Sequence, residues 1–272
     1  MYTTIPRPES DFMRPFQVVL LTVNYDGSIK ALLFLLNTDC AVSIDKSRRF
    51  LSDLTGGKLN ISKGTINKLC REFSNKTKTE QKKIFADLLS SPVMNTDCTN
   101  AGVNGESAYV YVCATPDEQK VLYFAREKKG HEGVKGTVTE DFQGILVHDY
   151  EITFYKYGNA HQECLAHVQR YLKDSMENEP SLTWHRKMRE LIREMVHYRN
   201  EHADDAHLDS KIVSDFEGKY QEILEKAGEE YILHEPSPYY RDGYNLYRRM
   251  QEYKTQHLLF LHDMRVPTTN NT

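Results

Sequence analysis

Two aspartates at the ends of short β-favouring runs carry the clearest chemistry in this sequence. Val93-Met94-Asn95-Thr96-Asp97 reads as a strand that ends on an acid, and Gly144-Ile145-Leu146-Val147-His148-Asp149 reads as a second. The second run is apolar without alternation, the pattern of a strand buried on both faces. The two acids lie 149 − 97 = 52 residues apart, but adjacent parallel strands bring their ends together. Two carboxylates at one sheet end repel unless a cation lies between them. Magnesium prefers oxygen ligands and usually holds phosphate as well. Two such ions would activate a water or a 3′-hydroxyl and stabilise the leaving oxygen of a phosphoryl transfer. The competing reading is that strand-terminal Asp residues cap turns.

The elements that must position these acids follow from periodicity. Between them, Ser107 to Cys113 and Lys120 to Phe124 favour β structure, and Thr115-Pro116-Asp117 marks a turn, so three strands form an antiparallel meander. Lys128 to Phe142 reads as a Gly-containing, helical crossover. The order β-β-β-α-β, with acids ending the first and fourth strands, is the organisation of an RNase H-like core in an α/β fold. His161 to Leu165 is a last short core strand, and a helix through Val168, Tyr171 and Leu172 follows. Amphipathic helices then run through Trp184 to Met195, Leu208 to Ala227 and Tyr244 to Tyr253.

The front of the chain is helical. Ile29, Leu32, Leu33 and Leu36 make one helical stripe, and a second helix starts after Ser43 and stops at Thr55-Gly56-Gly57. A third begins at Ser62, with Ile66, Leu69, Cys70 and Phe73 on its apolar face and Lys63, Thr65, Asn67, Lys68 and Arg71 opposite. Lys63, Asn67, Lys68 and Arg71 are the residues such a helix would present to a DNA groove. The connection Thr55 to Ile61 is longer than the turn of a standard helix-turn-helix, and any three-helix unit shows the same stripes. Residues 1–90 carry net +5 and residues 91–272 net −9, which suggests a polyanion partner for the front, against the plainer reading of a solvated lysine face on ordinary helices.

Several classes are excluded. No apolar run approaches the roughly 18 residues of a membrane helix, and Val18 to Leu21 lacks the surroundings of a secretory signal. Cys40, Cys70, Cys98, Cys113 and Cys164 are scattered without a C-x-x-C pair, which fits a reducing cytoplasm. Cys164 and His167 have a C-x-x-H spacing, but a zinc site needs about four ligands. His197, His202 and His207 read as solvated histidines. There is no Walker loop, dinucleotide fingerprint or Gly-x-Ser-x-Gly elbow, so no nucleotide cofactor is expected.

Three blocks together resemble a transposase of the insertion sequence sixty-six family, over Leu51 to Asn271. The first is Val93 to Thr99 with Val103-Asn104-Gly105, similar to the family's first acidic block. The second is Phe142 to Tyr150 with His161 to His167, similar to its second acid and Cys-x-Ala-His block. The third is Leu259-Phe260-Leu261-His262-Asp263 with Val266-Pro267 and Asn270-Asn271. The resemblance implies a DDE-type recombinase: an RNase H-like fold, two divalent ions (Mg2+ or Mn2+), and DNA cleavage with strand transfer. It implies Asp97 and Asp149 as catalytic, metal-binding acids, Cys164 and His167 as active-site support, and DNA as partner, with a homo-oligomer on the DNA and no membrane.

The resulting division is an extension over 1–28, a helical DNA-binding region over 29–90, and a catalytic core over 91–170. A helical insertion over 171–262 and the start of the third-acid segment over 263–272 follow. Three departures stand out. Cys98 replaces the usual Glu, Glu151 follows Tyr150 with the usual Gly missing, and the third Glu falls a few residues beyond Asn270-Asn271, after Thr272. The expectation is therefore a C-terminally truncated chain, defective alone. The alternatives are a remnant that binds DNA without cleaving it and a nuclease whose third acid is Glu190 or Glu194.

Overall fold

The computed structural model of the chain describes residues 26–271. The stretch Val18 to Leu21, most of the expected N-terminal extension and Thr272 lie outside the described residues. The described part is a mixed α/β structure with eleven helices and one five-stranded sheet. It divides into two compact units between Glu80 and Gln81.

The first unit holds α1 (Gly27–Thr38), α2 (Ile44–Leu54) and α3 (Lys63–Lys76). Ser43 caps α2 by accepting from the Lys46 amide at 3.3 Å, and Ser62 caps α3 by accepting from the Thr65 amide at 3.1 Å. Gly56 and Gly57 take positive φ values of 58° and 78° and end α2 as their type requires. Leu33, Leu51, Ile61 and Ile66 form the buried centre. Phe73, expected on the apolar face of α3, is half exposed and stacks on Phe34 of α1 at 3.8 Å between ring centres.

α4 (Lys78–Leu89) leads into the second unit, where Ile84, Phe85 and Leu88 pack with Met94, Cys113, Phe142 and Leu146 of the sheet region. The strands are β1 (Val93–Val103), β2 (Glu106–Ala114), β3 (Val121–Arg126), β4 (Ile145–His148) and β5 (Ala160–Glu163), in spatial order β3-β2-β1-β4-β5. β1, β2 and β3 form the antiparallel meander, and β1, β4 and β5 run parallel. The crossover from β3 to β4 is two single-turn helices, α5 (His131–Val134) and α6 (Val138–Asp141).

β1 does not stop at Asp97. It continues to Val103, where Asn104 and Gly105 at φ 53° and 85° close a tight hairpin into β2. Two positive φ values in a two-residue loop match the right-handed twist of the flanking strands, and Asn-Gly is the pair that adopts them most cheaply.

Beyond the sheet come α7 (Leu165–Asn178), α8 (Trp184–Glu201), α9 (Ser210–Leu233), α10 (Asp242–Glu252) and α11 (Lys254–His262). Their apolar stripes share one core with the sheet: Val93, Val147 and Leu165 join Trp184, Met188, Tyr220, Met250 and Phe260. Helices α7 to α11 are thus fastened to the strands that carry the acids.

Candidate active site

The pairing of β1 with β4 fixes the two aspartates. Val93, Met94 and Asn95 lie opposite Ile145, Leu146 and Val147, a constant offset of 52 residues. Continued two residues, that register sets Asp97 opposite Asp149, which directly follows the last residue of β4. Both side chains are half-buried. Burial, and after it the charge of Asp97, hold the Asp149 carboxyl above the ordinary carboxylate range, against the opposing pull of the Glu151 amide and of His167. The amide of Glu151 donates to Asp149 Oδ1 at 3.2 Å, and the amide of Cys98 donates to Asp97 Oδ1 at 2.8 Å.

Neighbouring groups lock this end of the sheet. Asn270 is buried and its Nδ2 donates to the carbonyl of Thr96 at 2.9 Å, one residue before the first acid. The amide of Leu165, at the start of α7, donates to the carbonyl of Thr268 at 2.9 Å. The segment leading to Asn271 therefore runs beside Asp97.

Cys164 stands at the N-terminal boundary of α7, without a side-chain cap, and is buried, with His167 three residues later. Burial would push the Cys164 thiol up, but His167 and neighbouring amides bring it below its ordinary value. Cys164 in turn raises His167, and the Asp149 charge adds to that. The side-chain contact between the two leads both the lowering of Cys164 and the raising of His167, with the charge of each partner after it.

Two groups that periodicity does not single out complete the surroundings. Lys129 Nζ lies 2.6 Å from Glu151 Oε2, and Thr153 Oγ1 donates to Glu151 Oε1 at 3.0 Å. Burial would raise Glu151, but these bonds hold it below its ordinary range. Glu151 raises Lys129, and Asp149 contributes to the same shift. Lys128-Lys129-Gly130 before a helix is the one sequence signal for such a lysine.

His148 is fully buried behind Asp149. Its Nδ1 donates to the carbonyl of Asp149, so its Nε2 accepts from His161 Nδ1 at 3.0 Å. Burial lowers His148 to about 4, which keeps the ring neutral at pH 7.

Glu163, at the end of β5, ties the sheet to α10 and α11. It lies 3.0 Å from His257 Nε2 and 3.3 Å from Arg249 Nε, and Tyr155 donates its hydroxyl proton to it at 2.5 Å. Burial alone would raise this carboxyl, yet His257 and Arg249 bring it down to about 2.

The remaining sequence-predicted residues lie in the first unit. Lys63, Asn67, Lys68 and Arg71 are all exposed on α3. Lys63 pairs with Asp45 at 2.7 Å and Lys68 with Glu72 at 3.8 Å. Glu190 and Glu194 are exposed on α8, and neither figures among the groups that shift Asp149. Among the described residues, no three His, Cys, Asp or Glu side chains are grouped so as to hold a metal ion. All five cysteines are free, and no helix of the described residues is long and apolar enough to cross a membrane.

With the two acids in register, the family comparison decides the identity. The family model described as Transposase IS66 family matches residues 27–272. The chain belongs to the IS66 transposase family. A comparison with curated proteins found no match, and neither did one with solved structures. The IS66 match covers both units and so includes α3 as well as the Asp97–Asp149 pair.

Proposed function

We propose that the chain is a DNA transposase of the DDE type, with Asp97 and Asp149 as the acids that hold divalent metal. The observation that carries this reading is the constant offset between β1 and β4, which sets the two carboxylates opposite one another where β4 ends. The strand order and orientation agree with an RNase H-like core.

The donor set fits magnesium or manganese. Two half-buried carboxylates, of which Asp149 is held above its ordinary range by burial and by the charge of Asp97, gain from a hard cation with oxygen ligands. Asp97 and Asp149 would hold it, and when bound it supplies Lewis-acid stabilisation of phosphate oxygens. The protein contributes position: the β1–β4 register fixes the acids, and the Asn270–Thr96 bond fixes the backbone before Asp97. By resemblance the third carboxylate follows Asn271, and the path of residues 268–271 beside Thr96 leads toward the pair. His167 and Cys164 support the site, with His167 held above its ordinary range by Cys164 and by the charge of Asp149. Lys63, Asn67, Lys68 and Arg71 contact DNA through a helix-turn-helix-like front, and the protein works as an oligomer on DNA.

A second reading is a DNA-binding protein that does not cleave. It rests on the exposed polar face of α3, with Lys63, Asn67, Lys68 and Arg71, which needs no metal to meet DNA. Magnesium-dependent nicking of DNA carrying the element's ends separates the two. Nicking that Asp97→Asn and Asp149→Asn each abolish supports the transposase. Retention of end DNA without nicking, by this chain and by one continued with the codons downstream in its gene, supports the binding protein.

A further inference from the structure

A cavity of about 580 Å3 lies beside Tyr150, the residue that follows Asp149. Its walls include Tyr171, Asp174 and Asn178 of α7, together with Tyr240, Asn245 and Arg249 from α10 and the segment before it. That size falls within the roughly 300–1,000 Å3 of small-molecule sites.

Arg249 sets the chemistry. It is nine-tenths buried, and its guanidinium carbon lies 4.1 Å from the Tyr150 ring centre and 5.0 Å from that of Tyr171. Glu163 stands 3.3 Å from Nε and balances the charge. Nη2 is buried and meets no acceptor, and such a donor is rare in a native fold. The other polar groups on the wall are acceptors and amides: Asp174, Asp242, Asn178, Asn245 and the Tyr240 hydroxyl, which lies 3.4 Å from Ser175 Oγ.

These features select among ligands. With Arg249 offset by Glu163, Asp174 and Asp242 leave the wall negative, so a phosphate or carboxylate is repelled. A purely apolar ring would leave the carboxylates and amides without partners. A flat ring with both carbonyl and amino groups meets the Tyr240 side chain, the Asn178 and Asn245 amides and the Asp174 and Asp242 carboxylates together.

We propose that this cavity receives one unpaired nucleobase, of the kind that carries a carbonyl beside an amino group as guanine does, from the DNA strand that reaches Asp97 and Asp149. The inference rests on the DNA reading above. Tyr150, which lines the cavity, directly follows Asp149, so the cavity adjoins the stretch of chain that would meet the strand's phosphate. A base taken out of its stack needs such a cleft to compensate for lost stacking.

The test uses an eight-nucleotide fluorescein-labelled strand, abasic throughout except for one central guanine, against a fully abasic strand. Affinities are read by anisotropy with the full chain and no metal. The guanine strand is expected to bind about tenfold tighter, the effect of one stacked base. Asn245→Leu, on the exposed rim, and Arg249→Lys should each bring it down to the abasic level. Asn245→Leu with unchanged melting temperature keeps the test valid if Arg249→Lys does not fold. Equal affinity of the two strands, or no effect of Asn245→Leu, overturns the pocket while duplex binding still supports the DNA reading. Binding of neither strand nor of duplex overturns both. Free deoxyguanosine that displaces the strand at equal concentration would assign the cavity to a free nucleoside and overturn the strand proposal.

Discussion

Asp97 and Asp149 stand at one level of two neighbouring parallel strands, and the charge of the first raises the proton affinity of the second. A group whose ionised form is disfavoured in the fold lowers stability wherever it is ionised. Asp149→Asn should therefore stabilise the second unit at pH 7, by about 1 kcal/mol, in the range found when strained functional groups are removed. The sign follows from linkage. The folded carboxyl holds its proton to higher pH than the unfolded one, so the penalty is absent below the ordinary carboxylate value. It grows as pH rises through the raised value. Urea unfolding at pH 7 and pH 3.5 checks this: the gain should appear at pH 7 and vanish at the lower pH. Addition of Mg2+ should stabilise the parent chain more than the variant.

How much of this arrangement the sequence discloses depends on how local each cause is. The acids, the apolar run before Asp149 and the caps at Ser43 and Ser62 are local, and each is readable. The continuation of β1 past Asp97 is not, because Cys98 to Val103 is polar and small-residued, and its strand character comes from pairing with β2 across the Asn104-Gly105 turn. Val103-Asn104-Gly105 is legible as a family block, but not as the hairpin it makes. The Glu163 cluster joins β5 to α10 and α11 across helices α7 to α9, and no spacing rule spans that distance. Lys129 and Glu151 meet only because the crossover and the turn after β4 return to the same sheet end.

Glu163 predicts an acid-sensitive link between the sheet and helices α10 and α11. Its carboxyl titrates at about 2, below the ordinary value of 4.5, because His257 and Arg249 outweigh burial. A depressed carboxylate contributes stability that is present above the unfolded value and is lost as pH falls toward the folded one. Glu163→Gln should cost about 3–5 kcal/mol at pH 7, the range for breaking a buried ion pair while its partners remain. The difference from the parent chain should shrink as pH falls from about 4.5 toward 2. Guanidinium unfolding across that window reads it.

The exposed face of α3 predicts salt-dependent DNA binding. Arg71→Glu and Lys68→Glu should each weaken duplex affinity and reduce the slope of log K against log salt by about 0.9 for each phosphate no longer neutralised. Lys63→Glu should do less, since Lys63 already pairs with Asp45 at 2.7 Å. Anisotropy titrations between 50 and 200 mM salt, on the order of the range where such charge pairs are resolved, supply the slopes. Equal affinity of parent and Arg71→Glu at every salt concentration would remove α3 from the interface.

Gly133 predicts a steric requirement behind Lys129. A Cβ added there would collide with the Lys128 carbonyl oxygen and with the Tyr111 ring and hydroxyl. Tyr111 is fully buried and donates to the Gly130 carbonyl at 3.3 Å, while Arg126 Nε donates to the Gly133 carbonyl at 3.1 Å. The loop from Lys128 to Gly133 is thus clamped from the β2 and β3 side and has no easy way to yield. Gly133→Ala should cost about 1–3 kcal/mol, as over-packing does, and lower the melting temperature by roughly 2–4 °C for each kcal/mol. Gly105→Ala should cost about 1 kcal/mol through its positive φ alone and leave the Lys129–Glu151 pair in place. The two variants therefore differ at the site. Hydrogen exchange of the Glu151 and Thr153 amides should quicken in Gly133→Ala and stay unchanged in Gly105→Ala. Equal protection in both would show that Gly133 does not set the position of Lys129.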